Sequence, residues 1–315
     1  MKLVFMGTPE PAASILQSLI EAKHQVLAVV TQPDRPKGRE LKIAFSPVKE
    51  VALKYALPLE QPEKLKGNQV FISFLKALDP DLIVIVAYGR ILPRAILDLP
   101  RRGCINVHAS LLPKYRGAAP IQWALLNGEK ETGISIMKVG ELLDTGEIIL
   151  QEKAAIEDKD NTATLSQKLF DIGGKLLLQA LIQIEKGKAK YTPQNEANAT
   201  YAPAIAKESA EIDWRRSAAE IHNRIRALVP WPVAHTFYRE KLLKIWEAEI
   251  ALADLATAPQ PPGSIVQIVK NIGFIVATGT GHLLVRVVQS EGKKRMGAYD
   301  FVIGHAVGTS EILPN

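Results

Sequence analysis

Residues 104–120 read Cys-Ile-Asn-Val-His-Ala-Ser-Leu-Leu-Pro-Lys-Tyr-Arg-Gly-Ala-Ala-Pro. The apolar start of this stretch predicts a short strand, and side-chain alternation along it places Asn106 and His108 on the same face. Residues 110–113 predict a loop, and residues 118–126 predict a helix. Ligands bind outside the carboxyl ends of the strands in an open α/β sheet. The stretch therefore predicts a binding site where this strand ends.

The two polar side chains of this strand suit the stabilisation of a developing oxyanion. Asn106 donates hydrogen bonds, and His108 donates or shuttles a proton. Taken alone, a histidine at the end of a strand is more often structural than catalytic. Both interpretations stay open on these two residues.

The chain before this stretch has the pattern of an α/β protein. A strand at 2–6, a helix at 11–22 and a strand at 26–31 predict a βαβ opening and a parallel sheet. Residues 81–87, which are all apolar after Asp81, predict a central strand. The first turn holds the single Gly7 instead of a GxGxxG motif, so a dinucleotide site is weakly indicated.

A basic loop follows the second predicted strand. Residues 32–43 are polar, and two prolines and Gly38 predict that they form no regular structure. Long loops of this kind are usually functional, although a flexible connection between strand and helix is the alternative. The basic residues of the loop are Arg35, Lys37, Arg39 and Lys42.

A hairpin-like excursion follows the opening stretch. Residues 133–139 and 147–152 predict strands, and residues 141–146 between them read Glu-Leu-Leu-Asp-Thr-Gly. The aspartate of this turn is Asp144. A turn aspartate is usually a turn former.

The last third of the chain has a different pattern. Residues 162–184 carry apolar side chains at helical spacing and predict a long amphipathic helix. One helix and several short strands separated by turns come later and predict a small β-barrel. We therefore predict a catalytic domain at 1–189, a polar linker at 190–207 and a barrel domain at 208–315.

The composition bounds the class of protein. The 315 residues are 47% hydrophobic and 23% charged, which is ordinary for a soluble protein with a sizeable core. No apolar run approaches the roughly eighteen residues of a membrane span, and the N-terminus lacks a signal-peptide pattern. Cys104 is the single cysteine, and the six histidines include no His-x-x-x-His pair. We expect a cytoplasmic protein with no disulfide, no membrane association and no metal.

Local charge is more informative than the net charge of +6. An electropositive rim beside the predicted site would suit a polyanionic substrate, and solvated surface charge is the alternative. Against Asp98 alone, residues 90–116 carry six basic side chains, namely Arg90, Arg94, Arg101, Arg102, Lys114 and Arg116.

The quoted stretch resembles a family signature. Asn-x-His-x-Ser-Leu-Leu-Pro with Gly four residues later is similar to the signature of the folate-dependent formyltransferases. The continuation Arg-Gly-Ala-Ala-Pro-Ile-Gln at 116–122 resembles the branch of that family that acts on methionyl-tRNA. Leu-Asp-Thr-Gly at 143–146 and Pro-Trp-Pro at 230–232 match the same branch. Leu142 departs from it, because the family commonly has glycine there.

The resemblance implies both a fold and a reaction. The fold is an α/β, Rossmann-like, mostly parallel sheet followed by a small OB-like barrel. The reaction is transfer of the formyl group of 10-formyltetrahydrofolate, a co-substrate, to the amino group of methionyl-initiator tRNA for translation initiation. We expect a monomer whose partners are the tRNA and the folate donor.

The resemblance also implies roles for individual residues. Asn106 and His108 would stabilise the oxyanion, and Asp144 would orient His108 and help to move the proton. The basic 32–43 loop would hold the acceptor end of the tRNA, foremost through Arg39. Folate would be bound by Ser110, Leu111, Leu112 and Pro113 and by the backbone of Arg90, Ile91 and Leu92.

Three alternatives remain open at this point. Glycinamide ribonucleotide formyltransferase shares the core signature but is usually a single, shorter domain without the Ala-Ala-Pro-Ile continuation. A 10-formyltetrahydrofolate hydrolase, or the hydrolase half of the dehydrogenase, would use water in place of the amine. A non-enzymatic RNA-binding barrel protein would have no need of the asparagine, the histidine and the turn aspartate.

Overall fold

The computed structural model describes residues 1–37, 42–251, 260–309 and 311–314. The chain forms two compact units. The first comprises Met1–Pro120, Glu131–Ala155 and Ser166–Pro203, and the second comprises Ile121–Lys130, Ile156–Leu165 and Ala204–Asn315. The boundaries at 189 and 208 stay predictions, and the part of the predicted linker up to Pro203 belongs to the first unit.

The elements alternate between strands and helices up to residue 185. The strands are β1 (Lys2–Gly7), β2 (Gln25–Val30), β3 (Arg35–Lys37), β4 (Lys42–Ala44), β5 (Leu59–Glu60), β6 (Leu82–Val86), β7 (Cys104–His108), β8 (Glu131–Lys138) and β9 (Ile148–Ala155). The α-helices are α1 (Glu10–Glu21), α2 (Pro47–Lys54), α3 (Gln69–Leu78), α4 (Arg94–Leu97), α5 (Pro120–Leu126) and α6 (Thr162–Glu185). Short 3-10 helices span Glu196–Asn198 and Lys207–Ala210.

Most of these strands form one mixed sheet. In the described part of the chain it has seven strands in the order β5-β2-β1-β6-β7-β8-β9. The pairs from β5 to β7 are parallel, and β8 and β9 add antiparallel strands at one edge. Strands β1 and β6 lie in the middle, and their side chains after Lys2 are buried. Continuous apolar runs are what strands covered on both faces require.

Helix α6 packs closely on β7 and on helix α1 at its paired glycines. A Cβ on Gly173 would lie 3.1 Å from Val107 Cγ1, and a Cβ on Gly174 would lie 3.2 Å from Ser18 Oγ. Both distances are tighter than ordinary van der Waals contact. Gly173 therefore allows the helix to approach the strand that carries the predicted site, and Gly174 allows it to approach α1.

A short antiparallel ribbon follows β2. In it, β3 pairs with β4, with Arg35 opposite Ala44, Pro36 opposite Ile43 and Lys37 opposite Lys42. The prediction that residues 32–43 form no regular structure is therefore wrong. Proline is tolerated in edge strands, where no neighbour needs its missing N–H, and a two-stranded ribbon consists only of edges. Arg39 lies outside the described residues.

The second unit contains an antiparallel sheet. Its strands are β10 (His235–Tyr238), β11 (Lys241–Ile250), β12 (Ile265–Val269), β13 (Gly273–Ala277), β14 (His282–Ser290) and β15 (Met296–Gly297), and its helices include α7 (Ala218–Ala227) and α8 (Ala298–His305). Among the described residues the sheet has six strands, in the order β10-β11-β14-β13-β12 with β15 beside β14. This arrangement agrees with the predicted small barrel, and the predicted fold class is confirmed.

The second unit has a core of its own. Trp214, Ile245, Phe274, Val285 and Phe301 are among its buried side chains. Helix α7 begins with a capping box, in which the Ser217 hydroxyl accepts from the Glu220 N–H and the Glu220 carboxylate accepts from the Ser217 N–H. In neither unit is a described helix long and apolar enough to cross a lipid bilayer.

Candidate active site

Strand β7 carries the two polar side chains to the predicted site. Asn106 lies opposite Ile85 of the parallel neighbour and Met137 of the antiparallel neighbour. His108 is the last residue of the strand and lies opposite Ser135. His108 is buried, whereas Asn106 is partly exposed. The pair thus lies at the carboxyl end of a strand, where the parallel part of the sheet meets its antiparallel edge.

Both ring nitrogens of His108 face protein oxygens. Nε2 lies 2.9 Å from the backbone oxygen of Tyr115. A carbonyl oxygen only accepts hydrogen bonds, so Nε2 carries the proton in this contact. Nδ1 lies 3.6 Å from Asp144 Oδ2, and the two side chains are 6% and 10% exposed. That distance is too long for a hydrogen bond, and the two side chains form an ion pair only when the ring is protonated.

The turn between β8 and β9 is shaped to present Asp144 to the histidine. Asp144 adopts a left-handed conformation with φ +52°, and its Oδ2 accepts a hydrogen bond from the Gly117 N–H at 2.9 Å. A Cβ on Gly117 would lie 2.6 Å from the Ala202 oxygen, and one on Gly146 would overlap the Lys138 oxygen. Both glycines therefore permit backbone approaches that a side chain would block.

The 110–113 loop is anchored from strand β8. Ser135 Oγ donates to the Ser110 oxygen at 2.6 Å and accepts from the Leu112 N–H at 3.1 Å. The side chains of Ser110 and Leu112 are buried, and Leu111 and Pro113 are partly exposed. A ligand on this loop therefore has the side chains of Leu111 and Pro113 within reach, whereas those of Ser110 and Leu112 are covered.

The loop after β6 is anchored by the side chain of Arg90. Its Nε donates to Gln32 Oε1 at 2.9 Å, and its Nη1 donates to the Pro62 oxygen at 3.0 Å. Leu92 is buried, whereas Ile91 is 79% exposed. The Arg90 guanidinium thus binds protein groups, and Ile91 presents its apolar side chain to solvent.

A polar cluster fixes the start of the β3–β4 ribbon. Lys49 forms an ion pair with Asp34 and donates to Gln61 Oε1 at 3.0 Å. Gln61 Nε2 donates to Asp34 Oδ1 and to the Gln32 oxygen, both at 2.9 Å. Hydrogen bonds from Lys49 and then Gln61 lower the pKa of the Asp34 carboxyl. Arg35, the next residue, is exposed.

The predicted basic rim is wrong for Arg116. Its side chain is 1% exposed and forms a bidentate ion pair with Glu196 at 2.7 and 2.8 Å. This contact raises the pKa of the Arg116 guanidinium and lowers the pKa of the Glu196 carboxyl. Arg101 is also paired, with Asp79. The acidic partners, Glu196 and Asp79, lie outside residues 90–116. The charge balance of that segment therefore does not include them.

Comparison with known families assigns the chain. Residues 1–181 match the family described as Formyl transferase, and residues 204–306 match Formyl transferase, C-terminal domain. The chain belongs to the formyl transferase family. The folate-dependent formyltransferase resemblance of the 104–120 stretch is thereby confirmed.

Relatives of this formyl transferase match it along its whole length. A protein of Caldanaerobacter subterraneus subsp. tengcongensis is 48% identical over 313 residues, covering 99% of this chain and 100% of that protein. A protein of Caldicellulosiruptor saccharolyticus is 49% identical over 316 residues, with coverage of 99% and 100%. Both relatives are named methionyl-tRNA formyltransferase.

Solved structures share the fold at low sequence identity. HypX from Aquifex aeolicus, solved in complex with tetrahydrofolic acid, has a TM-score of 0.68 at 17% identity, and the match covers 99% of this chain and 48% of HypX. The sugar 3N-formyltransferase WlaRD has a TM-score of 0.66 at 19% identity, with coverage of 93% and 99%. These similarities concern the fold alone.

Sequence reasoning missed the side chains that hold this formyl transferase site together. Ser135 and Gln151 anchor the 110–113 loop, and Gln194 binds the turn at Asp144. Ser135 alternates with apolar residues in β8, which is a weak signal for an inward polar contact. Gln194 lies in a polar segment with no distinguishing pattern, so no sequence signal marked it.

Potential metal ligands are dispersed in the formyl transferase. Within the ranges that the structure describes, no three His, Cys, Asp or Glu side chains come together as a metal site. Cys104 lies in β7 with its thiol buried and free. Burial raises the pKa of this thiol to about 12.

Proposed function

We propose that this formyl transferase moves the formyl group of 10-formyltetrahydrofolate to the amino group of methionyl-initiator tRNA. The product is N-formylmethionyl-tRNA, used in translation initiation. The observation that carries the proposal is the 45–49% identity to relatives named methionyl-tRNA formyltransferase, which extends over 99% of this chain. The sequence identity extends over the second unit. A single-domain enzyme such as glycinamide ribonucleotide formyltransferase would not need that unit.

Exposed apolar side chains in the loop after β6 and in the turn that bears Asp144 fit a folate. Ile91, Leu142 and Leu143 are 79%, 71% and 58% exposed. An ion pair between Arg94 and Glu141 at 3.1 Å joins the loop that bears Ile91 to the turn that bears the leucines. Apolar side chains beside a few polar groups are the usual lining of a cofactor-sized site, and here they suit flat ring systems. Leu142 replaces the family's usual glycine and adds to this apolar lining.

The donor supplies an electrophilic formyl carbon, and the chain supplies groups for charge and proton. Asn106, partly exposed at the carboxyl end of β7, donates a hydrogen bond to the formyl oxygen as negative charge develops there. The 110–113 loop and the loop after β6 line the folate and orient it. This is the folate role proposed for Ser110, Leu111, Leu112, Pro113, Arg90, Ile91 and Leu92.

The histidine and the aspartate act together on the proton of the attacking amine. Because Nε2 of His108 donates to the Tyr115 oxygen, its Nδ1 is the nitrogen with a lone pair to offer. This lone pair faces the Asp144 carboxylate. When Nδ1 takes the amine proton, the resulting imidazolium is stabilised by the carboxylate, as in other acid–histidine pairs. The proton then passes to the folate nitrogen as its bond to the formyl carbon breaks and tetrahydrofolate leaves. The geometry favours this proton-accepting role for His108 over donation to the oxyanion.

The tRNA is held by basic residues outside the shared folate core. Arg35 is exposed at the start of the β3–β4 ribbon. Hydrogen bonds among Asp34, Gln61 and Gln32 connect the ribbon to the loop after β6, where Gln32 binds the Tyr88 oxygen. The basic residues of the 32–43 segment contribute the proposed phosphate contacts, namely Arg35, Lys37, Arg39 and Lys42. Phosphate contacts supply affinity and register rather than sequence choice.

The protein works as a monomer in the cytoplasm. Its single cysteine is buried and free, which fits a reducing compartment. Light scattering on the purified protein, alone and with tRNA, tests the oligomeric state. A dimer mass in the absence of tRNA would contradict this part of the proposal.

Formyl transfer with labelled 10-formyltetrahydrofolate tests the function. Four acceptors are compared: methionyl-initiator tRNA, methionyl-elongator tRNA, glycinamide ribonucleotide and water. Transfer to the initiator tRNA, exceeding all others in kcat/KM, is the expected result. Three other outcomes would contradict the proposal. Transfer to glycinamide ribonucleotide would indicate the glycinamide ribonucleotide enzyme, and release of formate alone would indicate a hydrolase. Binding of tRNA without turnover would indicate a non-enzymatic RNA-binding protein.

A further inference from the structure

The starting observation is a buried guanidinium beside the active site. Arg116 is 1% exposed, and its side-chain hydrogen bonds go to the segment that follows α6, to Gln194, Glu196 and Tyr201. Nε and Nη2 donate to Gln194 Oε1 at 3.0 and 2.8 Å. Nη1 and Nη2 donate to Glu196. A buried cation destabilises the fold unless acceptors surround it, so this arginine requires the segment that covers it.

The guanidinium determines which way the Gln194 amide points. Arginine has donors only, so the amide oxygen must face it and the amide nitrogen must face away. That nitrogen, Nε2, donates to the Asp144 oxygen at 2.8 Å and to the Gly146 oxygen at 2.7 Å. One amide therefore links the arginine to the turn that carries the aspartate.

The loop that contains Arg116 also binds the side chain of Asp144. Gly117, the residue after Arg116, donates its N–H to the Asp144 carboxylate. Arg116 exchanges backbone hydrogen bonds with the covering segment, donating to the Thr200 oxygen at 2.8 Å and accepting from the Ala202 N–H at 2.7 Å. Asp144 is left-handed at φ +52°, a conformation that needs support from its surroundings. Its backbone oxygen and its carboxylate are both held through this arrangement.

We infer that Arg116 and Gln194 are positioning residues that set Asp144 against His108 for proton transfer. They act through Asp144, and the inference rests on the proposed function for its chemistry. The segment at 194–202, which contains a short 3-10 helix at Glu196–Asn198, is thereby part of the active-site structure.

Gln194→Glu tests this with a change of one side-chain group. A glutamate keeps an acceptor for Arg116 but replaces the donor to the Asp144 and Gly146 oxygens with a second acceptor. Gln194 is partly exposed, so the variant should fold. We expect kcat for the tRNA acceptor to fall by about 10- to 100-fold, the effect of roughly 1 Å of misplacement. Gln25→Glu, the same change at an exposed position in β2, is the matched control.

A double-mutant cycle separates positioning from general destabilisation. In the Asp144→Asn background, Gln194→Glu should change kcat by less than about twofold, because residues that act as a unit are not additive. If the two losses multiply, Gln194 acts independently of Asp144 and the inference is overturned.

A measurement without turnover keeps the inference distinct from the proposed function. Amide hydrogen exchange of the 142–146 turn should be faster in Gln194→Glu than in the wild type or in Gln25→Glu. Unchanged exchange in that turn would overturn the inference. Failure of the wild type to formylate any acceptor would overturn the proposed function, and the exchange result would still decide whether Gln194 holds the turn.

Discussion

Replacing Ser135 with alanine removes the hydroxyl that holds the proposed folate loop. Ser135 is fully buried. Its Oγ donates to the Ser110 oxygen at 2.6 Å and accepts from the Leu112 N–H at 3.1 Å and from Gln151 Nε2 at 2.8 Å. A hydroxyl has one donor and two acceptor sites, and all three are used here. The substitution therefore leaves three polar groups without this partner.

The three lost contacts differ in their cost. The Leu112 N–H becomes an unpaired buried donor, which costs about 1–3 kcal/mol, and the Ser110 oxygen loses a hydrogen bond worth about 1 kcal/mol. Gln151 keeps its contact with the Leu112 oxygen at 2.9 Å, so its loss is small. We expect the free energy of unfolding to fall by about 2–4 kcal/mol, which for a unit of this size lowers the melting temperature by about 4–16 °C.

The loosened loop should also bind folate more weakly. If ordering the loop on binding takes about 1–2 kcal/mol, the folate Kd rises by about 5- to 30-fold. Urea unfolding gives the stability, and titration with the folate donor gives the affinity. Ser14→Ala is the control, because Ser14 Oγ bonds only its own helix, to the Glu10 oxygen at 3.3 Å, and alanine favours helix. Wild-type stability and wild-type folate affinity in Ser135→Ala would refute the reasoning.

His108→Ala should lower kcat by about 10²–10⁴-fold, the range for loss of an acid–base group, with folate affinity unchanged in a binding titration. Cys104 should resist thiol reagents until the protein is denatured, because burial raises the pKa of its thiol to about 12 and the thiolate is the reactive form. Hydrogen bonds from Lys49 lower the pKa of Asp34, so the stability from this carboxylate is fully present above its unfolded pKa of about 3.9 and is lost as pH falls through the lower folded pKa. Melting temperatures across that acid range should therefore fall less steeply in Asp34→Asn. Arg39→Ala should weaken tRNA binding at low salt, leave folate affinity intact and reduce the slope of log affinity against log salt by about 0.7–1.

Matched variants separate these effects from nonspecific ones. Asp171→Asn, an exposed change on α6, should leave the acid dependence of the melting temperature as in the wild type, unlike Asp34→Asn. Lys2→Ala removes an exposed cation at the amino end of β1. Unlike Arg39→Ala, it should leave the slope of log tRNA affinity against log salt unchanged. A kcat within a few-fold of wild type in His108→Ala would show that the histidine is structural.

The features that the sequence predicts well depend on local pattern. The apolar runs at 2–6 and 81–87 correspond to β1 and β6 in the middle of the sheet, because continuous apolar strands must be covered on both faces. The helical spacing at 162–184 corresponds to α6 (Thr162–Glu185). The position of Asn106 and His108 at the end of β7 follows from alternation alone.

The features that needed the structure depend on contacts between distant parts of the chain. The prolines of residues 32–43 predict an irregular loop, whereas proline prevents pairing in central strands only and is compatible with the β3–β4 ribbon. The local excess of basic residues predicts that Arg116 lies on a basic surface. In the structure its guanidinium is buried and forms an ion pair with Glu196 of a later segment. The approach of Asp144 to His108 was implied by family resemblance, and in the structure it depends on Gly117 and on the covering segment.

The segment predicted as a linker shows why polarity alone misleads. Residues 190–207 are polar and contain two prolines, a composition that indicates an exposed connection. In the structure, Gln194 and Glu196 of this segment receive the donors of a buried guanidinium, and Gln194 also binds the Asp144 turn. Buried donors need acceptors, so this segment is polar because the loop that it covers has hydrogen bonds to satisfy. A segment can therefore be polar for either of two reasons: it is exposed to water, or it binds a buried polar group. Because Arg116 is fully buried and binds residues of this segment, the second reason applies here.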